Sequence, residues 1–326
     1  MSLLQQSPLG TRSAFYQLHS ESTSDNKQEL VTGLRLDQAQ INPKFLYDAL
    51  GSCLFDAITQ VPEYYPTRCE HEVFDTHGDA IAQSVGHVQT MIDLGAADCM
   101  KAQRLFDRLQ PEQYVPVDIS VDYLKTSVMR VAALYPDLDI VGVGIDFFQT
   151  LALPQQVRPD ERLFFYPGSS IGNLNVSQAQ DMLKRIRDAC GPGGKLLLGV
   201  DRVKSAAILE PAYDDALGVT AAFNLNVLRH ANRLMGSNFD IEDWAHRAVF
   251  NTGESRIEMH LEALHRLKVK LPDGERIFEQ GETIHTESSY KYQPEQFAQM
   301  LRDAGFKQIS HWTDSKEWFS VFAAVA

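Results

Sequence analysis

The chain lacks long apolar runs: nothing in its 326 residues approaches the ~20 consecutive apolar positions of a membrane-spanning helix. Its first twenty residues, MSLLQQSPLGTRSAFYQLHS, have neither the charged start nor the unbroken apolar core of a secretory signal. Cysteine is scarce and scattered. Cys53, Cys69, Cys99 and Cys190 form no C-x-x-C pair, which argues against a disulfide framework or a zinc ribbon and fits reduced thiols in a cytoplasm. Positive charge is also short, with 30 Lys plus Arg against 43 Asp plus Glu, so the net charge of −13 repels a polyanion over most of the surface. The reading is a soluble cytoplasmic protein with neither nucleic acid nor membrane as partner. What is present, 44% hydrophobic and 22% charged residues, excludes disorder as the main state and supplies core for one large domain or two.

The apolar patterning starts late. Residues 1 to about 40 are polar and irregular, SESTSDNKQ reads as a mobile surface stretch, and folding is expected to begin near Asn42 with PKFLYDALGSCLFDAI. From His87 short apolar runs alternate with helical ones: HVQTMIDLG, KAQRLFDRL, QYVPVD, VDYLKTSVMRVAALYP, DIVGVGIDF and RLFFYPGSSIGNL. The next helix opens at a capping box of Ser177 and Gln180 and stops at CGPGG before KLLLGVD. This rhythm predicts an α/β fold: a doubly wound, mostly parallel sheet with helices on both faces.

Past residue 203 the alternation breaks. A helix around Ala221 to Met235 stops at Gly236, and from Ile257 to Leu271 every odd position is Ile, Met, Leu, Ala, His, Leu, Val or Leu. That period of two predicts one half-buried antiparallel strand, turned at PDGE, with RIFEQGETIHTESSYKY as its partner. PEQFAQMLRDAGF then reads as a helix and KQISHWTDSKEWFSVFAAVA as two strands, an antiparallel hairpin that finishes the main sheet. A second domain is thus inserted before the last elements.

Several residues suit chemistry at the ends of parallel strands, where ligands gather. The loop Asp93-Leu94-Gly95-Ala96-Ala97-Asp98 lets backbone approach an adenosyl cofactor, although a plain turn is the alternative reading. It lacks the second and third glycines of G-x-G-x-x-G, which disfavours a nicotinamide dehydrogenase. Asp118 is placed to accept two ribose hydroxyls, or equally to cap a helix, and Asp146-Phe147 follows the next strand. Lys101 suits a cofactor carboxylate, or is simply solvated. Outside the sheet, PEYYPTR holds Tyr64 and Tyr65 between prolines, and Asn173 is able to donate to a substrate carboxylate or to cap a local turn. Tyr213 and Phe223-Asn224 suit one wall of a pocket. Glu287 and Ser289 are two apart on an extended segment, so they share a face about 6.6 Å apart, a spacing that suits the two nitrogens of an imidazole. An exposed strand face is the other reading.

Read together, KFLYDALGSCLFDAITQVPEYYPTR, FYPGSSIGNL, LLLGVDRVK, AYDDALGVTAAFNLNVL, SRIEMHL and TESSYKY resemble the histidine Nα-methyltransferases, from about residue 40 to the C-terminus. CGPGGKLLLGVD and the antiparallel finish likewise resemble the class I methyltransferases that use S-adenosylmethionine. The resemblance implies a methyltransferase domain at 70–202 and 292–326 and an α+β substrate-binding domain at 1–69 and 203–291. It implies trimethylation of the α-amino group of L-histidine to hercynine, the first step toward ergothioneine. Carried over by motif, Tyr64, Asn173 and Tyr213 hold the amino and carboxylate groups of the substrate. Glu287 and Ser289 read its imidazole, with Met259 and Phe223 nearby. Tyr47, Gly95, Lys101, Asp118, Asp146, Phe147, Gly168 and Ser169 match the cofactor positions, and Tyr64 is the residue taken to orient the attacking nitrogen. Two positions depart from the family pattern: Ala97 stands where a second glycine is common, and Cys53 where a more polar residue is usual. Two rivals stand beside it: an N-methyltransferase of a tryptophan derivative, which the same resemblance implies, and a non-catalytic binder of amino acid or cofactor. An indole offers one donor and no basic ring nitrogen, so Glu287 speaks for imidazole.

Overall fold

The computed structural model describes residues 5–10, 12–18, 23–191 and 193–326. The chain forms two compact units and passes between them four times: one comprises Met1–Ser20, Pro66–Val203 and Lys291–Ala326, the other Glu21–Tyr65 and Lys204–Tyr290. A hairpin of β1 (Gln5–Gly10) and β2 (Ser13–Gln17) opens the first unit, and α1 (Thr23–Leu34), β3 (Ala39–Gln40) and α2 (Ala49–Ile58) open the second. The long helix α3 (Tyr65–Val85) returns the chain to the first unit. There follow β4 (Thr90–Leu94), α4 (Met100–Leu109), β5 (Gln113–Asp118), α5 (Val121–Leu134), β6 (Asp139–Gly144), β7 (Arg162–Tyr166), α6 (Val176–Cys190) and β8 (Lys195–Asp201). The second unit resumes with α7 (Ala206–Leu209), α8 (Val219–Met235), β9 (Trp244–Asn251), β10 (Arg256–Ala263), β11 (Leu267–Leu271), β12 (Gly274–Phe278) and β13 (Thr283–Tyr290). Helix α9 (Pro294–Asp303) and strands β14 (Lys307–Thr313) and β15 (Phe319–Val325) complete the first.

The first unit is built on one nine-stranded sheet in the order β1-β2-β6-β5-β4-β7-β8-β15-β14. The run from β2 to β8 is parallel, and β15 and β14 close it antiparallel, as the pattern predicts. The inner strands are buried at nearly every position, so they read as unbroken apolar runs rather than alternating ones. Helix α4 shows the complementary pattern, burying Ala102, Leu105, Phe106 and Leu109 along one stripe. The strand order reverses between β4 and β7, the place where an open α/β sheet leaves a crevice at its carboxyl edge.

Three expectations are corrected. Folding does not wait for Asn42: β2 pairs in parallel with β6, so Phe15 and Tyr16 are buried, and residues assigned from sequence to the second domain lie in the main sheet. Gly142 makes this possible, because a Cβ there would stand 2.6 Å from the Phe15 ring. Of the polar stretch at 20–28, residues 20–22 lie outside the described residues, and Thr23 onward is α1. Helix α6 is capped two residues earlier than read. Asn175 Oδ1 accepts the Gln178 N–H at 2.9 Å while the Gln178 side chain accepts the Asn175 N–H at 3.0 Å. Asn175→Ala is expected to cost about 1 kcal/mol of unfolding free energy in urea, whereas Ser177→Ala should change little; the reverse ranking would reject the assignment.

In the second unit β10 is the centre of a four-stranded sheet ordered β3-β13-β10-β9, and β11 and β12 form a separate hairpin. The single strand expected over Ile257–Leu271 is therefore two, broken at 264–266. Its period of two survives the break because each piece buries its own alternate residues, Ile257, Met259 and Leu261 in one and Val269 and Leu271 in the other. The expected partner does pair with β10, but only through β13, and β9 on the other side was not foreseen. One irregularity matters for the site. Met259 opposes Glu287 and His260 opposes His285, so Thr286 is an extra residue on β13, a β-bulge, and its hydroxyl donates to the Met259 carbonyl at 3.0 Å.

Candidate active site

In the first unit the carboxyl ends of four adjacent strands carry most of the residues assigned to a cofactor. After β4, the Gly95 and Ala96 N–H groups donate to the Val117 carbonyl at 2.9 and 3.1 Å, which ties this loop to the end of β5. Asp118 ends β5 and does cap backbone: Oδ2 accepts the Ala97 N–H at 3.0 Å and Oδ1 the Ser120 N–H at 2.8 Å. Burial raises its pKa, and those backbone donors pull the other way. Ala97 and Cys99 both take positive φ, 45° and 61°, so the glycine missing at 97 is replaced by a residue held in the left-handed region.

Asp146, after β6, accepts the Phe148 N–H at 3.0 Å and the Gln149 amide at 2.8 Å, and Phe147 lies edge-on to Tyr166. After β7, Gly168 has φ +74°, a left-handed backbone that favours glycine, and a Cβ there would sit 2.9 Å from the flexible end of Lys101. Ser169 turns its hydroxyl inward to accept the Asp201 N–H at 2.9 Å. Asn173 ends the short 3-10 turn Ser170–Asn173 in this unit, half-buried.

Two acidic residues that sequence reading did not assign complete this edge. Glu70 on α3 is fully buried, accepts the Gly168 N–H at 2.7 Å and pairs with Lys101 at 2.8 Å. Only its spacing from later residues was visible in sequence, and nothing local marks it. Asp93, at the end of β4, accepts from the Tyr114 hydroxyl at 2.8 Å, and its Oδ1 is a buried oxygen without a hydrogen-bond partner. Desolvation pushes its pKa up to about 7. A carboxyl that holds its proton more tightly when folded stabilises the fold below its unfolded value near 4, and that contribution is lost as pH rises toward 7. Asp93→Asn is therefore expected to raise Tm relative to the unsubstituted protein more at pH 8 than at pH 5. Equal shifts at both pH values would contradict a protonated Asp93.

The second unit brings together a different set. Tyr47, Phe55 and Phe223 form a triangle with ring centroids 5.5 to 6.0 Å apart, Phe55 meets Tyr64 at 6.4 Å, and Tyr64 meets Tyr213 at 6.1 Å. The Tyr213 hydroxyl lies 2.9 Å from Ser289 Oγ. Glu287, 7% exposed, and Ser289, 4% exposed, stand on the inner face of β13 opposite Met259 and Ile257. Every residue assigned to the substrate except Asn173 lies in this cluster, together with Tyr47, which sequence reading gave to the cofactor. Phe55 was missed because one aromatic on an amphipathic helix is indistinguishable from core. Among the described residues no His, Cys, Asp and Glu group is arranged to hold a metal, and no helix is long and apolar enough to cross a membrane.

A parallel sheet with an antiparallel finish, an acid at the end of β5 and a glycine beside a lysine define a class I methyltransferase dependent on S-adenosylmethionine. The residues present fit that cofactor: Lys101 would offer a cation to its carboxylate, Asp118 an acceptor to its ribose, and Gly95 and Gly168 a close backbone. Residues 26–326 match the family described as histidine-specific, S-adenosylmethionine-dependent methyltransferases, and the chain belongs to it. A histidine N-alpha-methyltransferase of Mycolicibacterium smegmatis is 37% identical over 305 residues, covering 92% of this chain and 94% of that protein. One from Mycobacterium tuberculosis is 36% identical over 304 residues, 91% and 94% of the two chains. The Neurospora crassa ergothioneine biosynthesis protein 1 is 30% identical over 289 residues, 86% of this chain but 32% of that longer one.

Proposed function

We propose that this enzyme methylates the α-amino nitrogen of L-histidine three times to give hercynine, as a cytoplasmic step toward ergothioneine. The observation that carries the reading is the buried pair Glu287 and Ser289 on one face of β13, with the Tyr213 hydroxyl on Ser289. A carboxylate accepts from one imidazole N–H, and a serine hydroxyl serves the second nitrogen as donor or acceptor, so the pair fits a ring with two distinct nitrogens. Tyr64 and Tyr213 bind the amino and carboxylate groups, with Tyr64 orienting the nitrogen. Lys101, Asp118, Gly95, Gly168 and the neighbouring Asp146, Phe147 and Ser169 hold the cofactor. Four cysteines dispersed along the chain, three of them buried, support the cytoplasmic setting.

S-adenosylmethionine supplies an electrophilic methyl group when bound. The protein's own task is to deliver a neutral amine in line with it, and positioning accounts for most of the rate. A peptide-type α-amino group with pKa near 8 costs roughly 1.4 kcal/mol to deprotonate at pH 7, and a free amino acid somewhat more, within reach of a tyrosine or water contact and without a strong base. Each methylation leaves a more hindered cation. The aromatic faces of Tyr47, Phe55, Tyr64, Tyr213 and Phe223 suit it, because cation–π attraction tolerates a quaternary ammonium that no longer donates hydrogen bonds.

Incubation of the purified protein with S-adenosylmethionine and single amino acids, read by mass spectrometry, tests this directly. A gain of three methyl groups by histidine is expected. Transfer to tryptophan instead, or ligand-induced thermal stabilisation with no transfer at all, would overturn it.

A further inference from the structure

Asn224 on α8 and His246 on β9 lie behind Tyr213 and take no part in the chemistry described above. The Asn224 Nδ2 is 3.1 Å from the His260 carbonyl, an obligate acceptor, so the amide must present its NH2 there rather than its oxygen. The second hydrogen of the same NH2 points to His246 Nδ1 at 2.9 Å, which must then be the acceptor nitrogen. The ring proton is left on Nε2, 2.8 Å from the Tyr213 carbonyl and 4.0 Å from Asp214 Oδ1, where the carboxylate field also favours it. The imidazole side chain is 2% exposed, so no water competes for either nitrogen. Burial lowers its pKa, which keeps it neutral.

From this chain of donors we infer that His246 is a positioning residue for substrate recognition: its Nε2–H fixes the Tyr213 backbone, and through it the hydroxyl that meets Ser289 beside Glu287. The inference rests on the reading that Tyr213 and Ser289 hold the amino acid. Segment 210–218 links the short α7 to α8. Such a segment keeps a tyrosine ring in register only when its own backbone is tied down.

The test exploits the different reach of two amides. Glutamine places its NH2 where Nε2 stands, and asparagine places its amide where Nδ1 stands. His246→Gln keeps the bond to Tyr213 and His246→Asn keeps only the partner of Asn224. Histidine KM, kcat and the calorimetric affinity for S-adenosylmethionine are measured for both, with Tm as a check on folding. The expected result is a histidine KM within about threefold of the unsubstituted enzyme for His246→Gln and raised tenfold or more for His246→Asn, with cofactor affinity unchanged in both. Equal KM values in the two variants would overturn the inference. So would a tenfold rise in His246→Gln, or its failure to fold, since the ring's bulk rather than its donor would then be what the site needs. If His246→Asn fails to fold, His246→Gln alone decides by the same threefold limit. The two levels of claim fail separately: an unsubstituted enzyme that does not methylate histidine removes the functional reading, whereas an active one with an indifferent His246→Asn removes only this role.

Discussion

Glu287→Ala is expected to raise the histidine KM by about tenfold or more while the KM for S-adenosylmethionine stays put. The size follows from losing a hydrogen bond to a charged group, about 1.5–3 kcal/mol. Glu287 is 7% exposed, so water does not readily take its place, and the truncated side chain leaves an imidazole nitrogen unserved. Glu287→Gln separates charge from shape: an amide retains an acceptor but not the charge, so it should fall between. An unchanged histidine KM in Glu287→Ala would remove the imidazole-reading role, and steady-state rates across histidine concentrations at saturating cofactor decide it.

Asp118→Ala is expected to produce the largest loss on the cofactor side, on the order of a hundredfold in S-adenosylmethionine affinity for about 3 kcal/mol. Two effects add. The ribose loses its acceptor, and the N–H groups of Ala97 and Ser120 lose theirs, so the loop after β4 is freed at the same time. Asp118→Asn should cost less because one acceptor oxygen remains. Because burial raises the pKa of Asp118, affinity in the unsubstituted enzyme should begin to fall on acidification at a higher pH than an ordinary aspartate would give. Calorimetry as a function of pH checks both statements, and an unaltered affinity in Asp118→Ala would contradict the ribose assignment.

The sequence made the sheet of the first unit legible because its strands are buried on both faces and interrupted by amphipathic helices, two signals that local pattern carries well. The pair Glu287 and Ser289 was visible for the same reason, since spacing along one strand is a local property. What escaped depends on distant partners. Strand β2 carries Phe15 and Tyr16 within a polar N-terminal stretch and is a strand only because Gly142 gives Phe15 room. Glu70 matters because α3 brings it under Gly168, 98 positions later in the chain. The split of Ile257–Leu271 was hidden because two short hairpin strands and one long strand share the same alternation. Motif matching named Asn173 and Tyr47, and the fold places Asn173 in the first unit and Tyr47 in the second.

The extra Thr286 sets the rules for any attempt to transplant this specificity. On a regular strand Glu287 and Ser289 would share the side of His285, among Glu258 and His260; the inserted residue switches them to the side of Ile284, Met259 and Leu261. A designer who copied the acid and the serine onto a straight scaffold would aim both the wrong way. The threonine has to travel with them, and deleting it from this protein would turn the recognition pair toward the polar side while leaving every other residue of the motif in place.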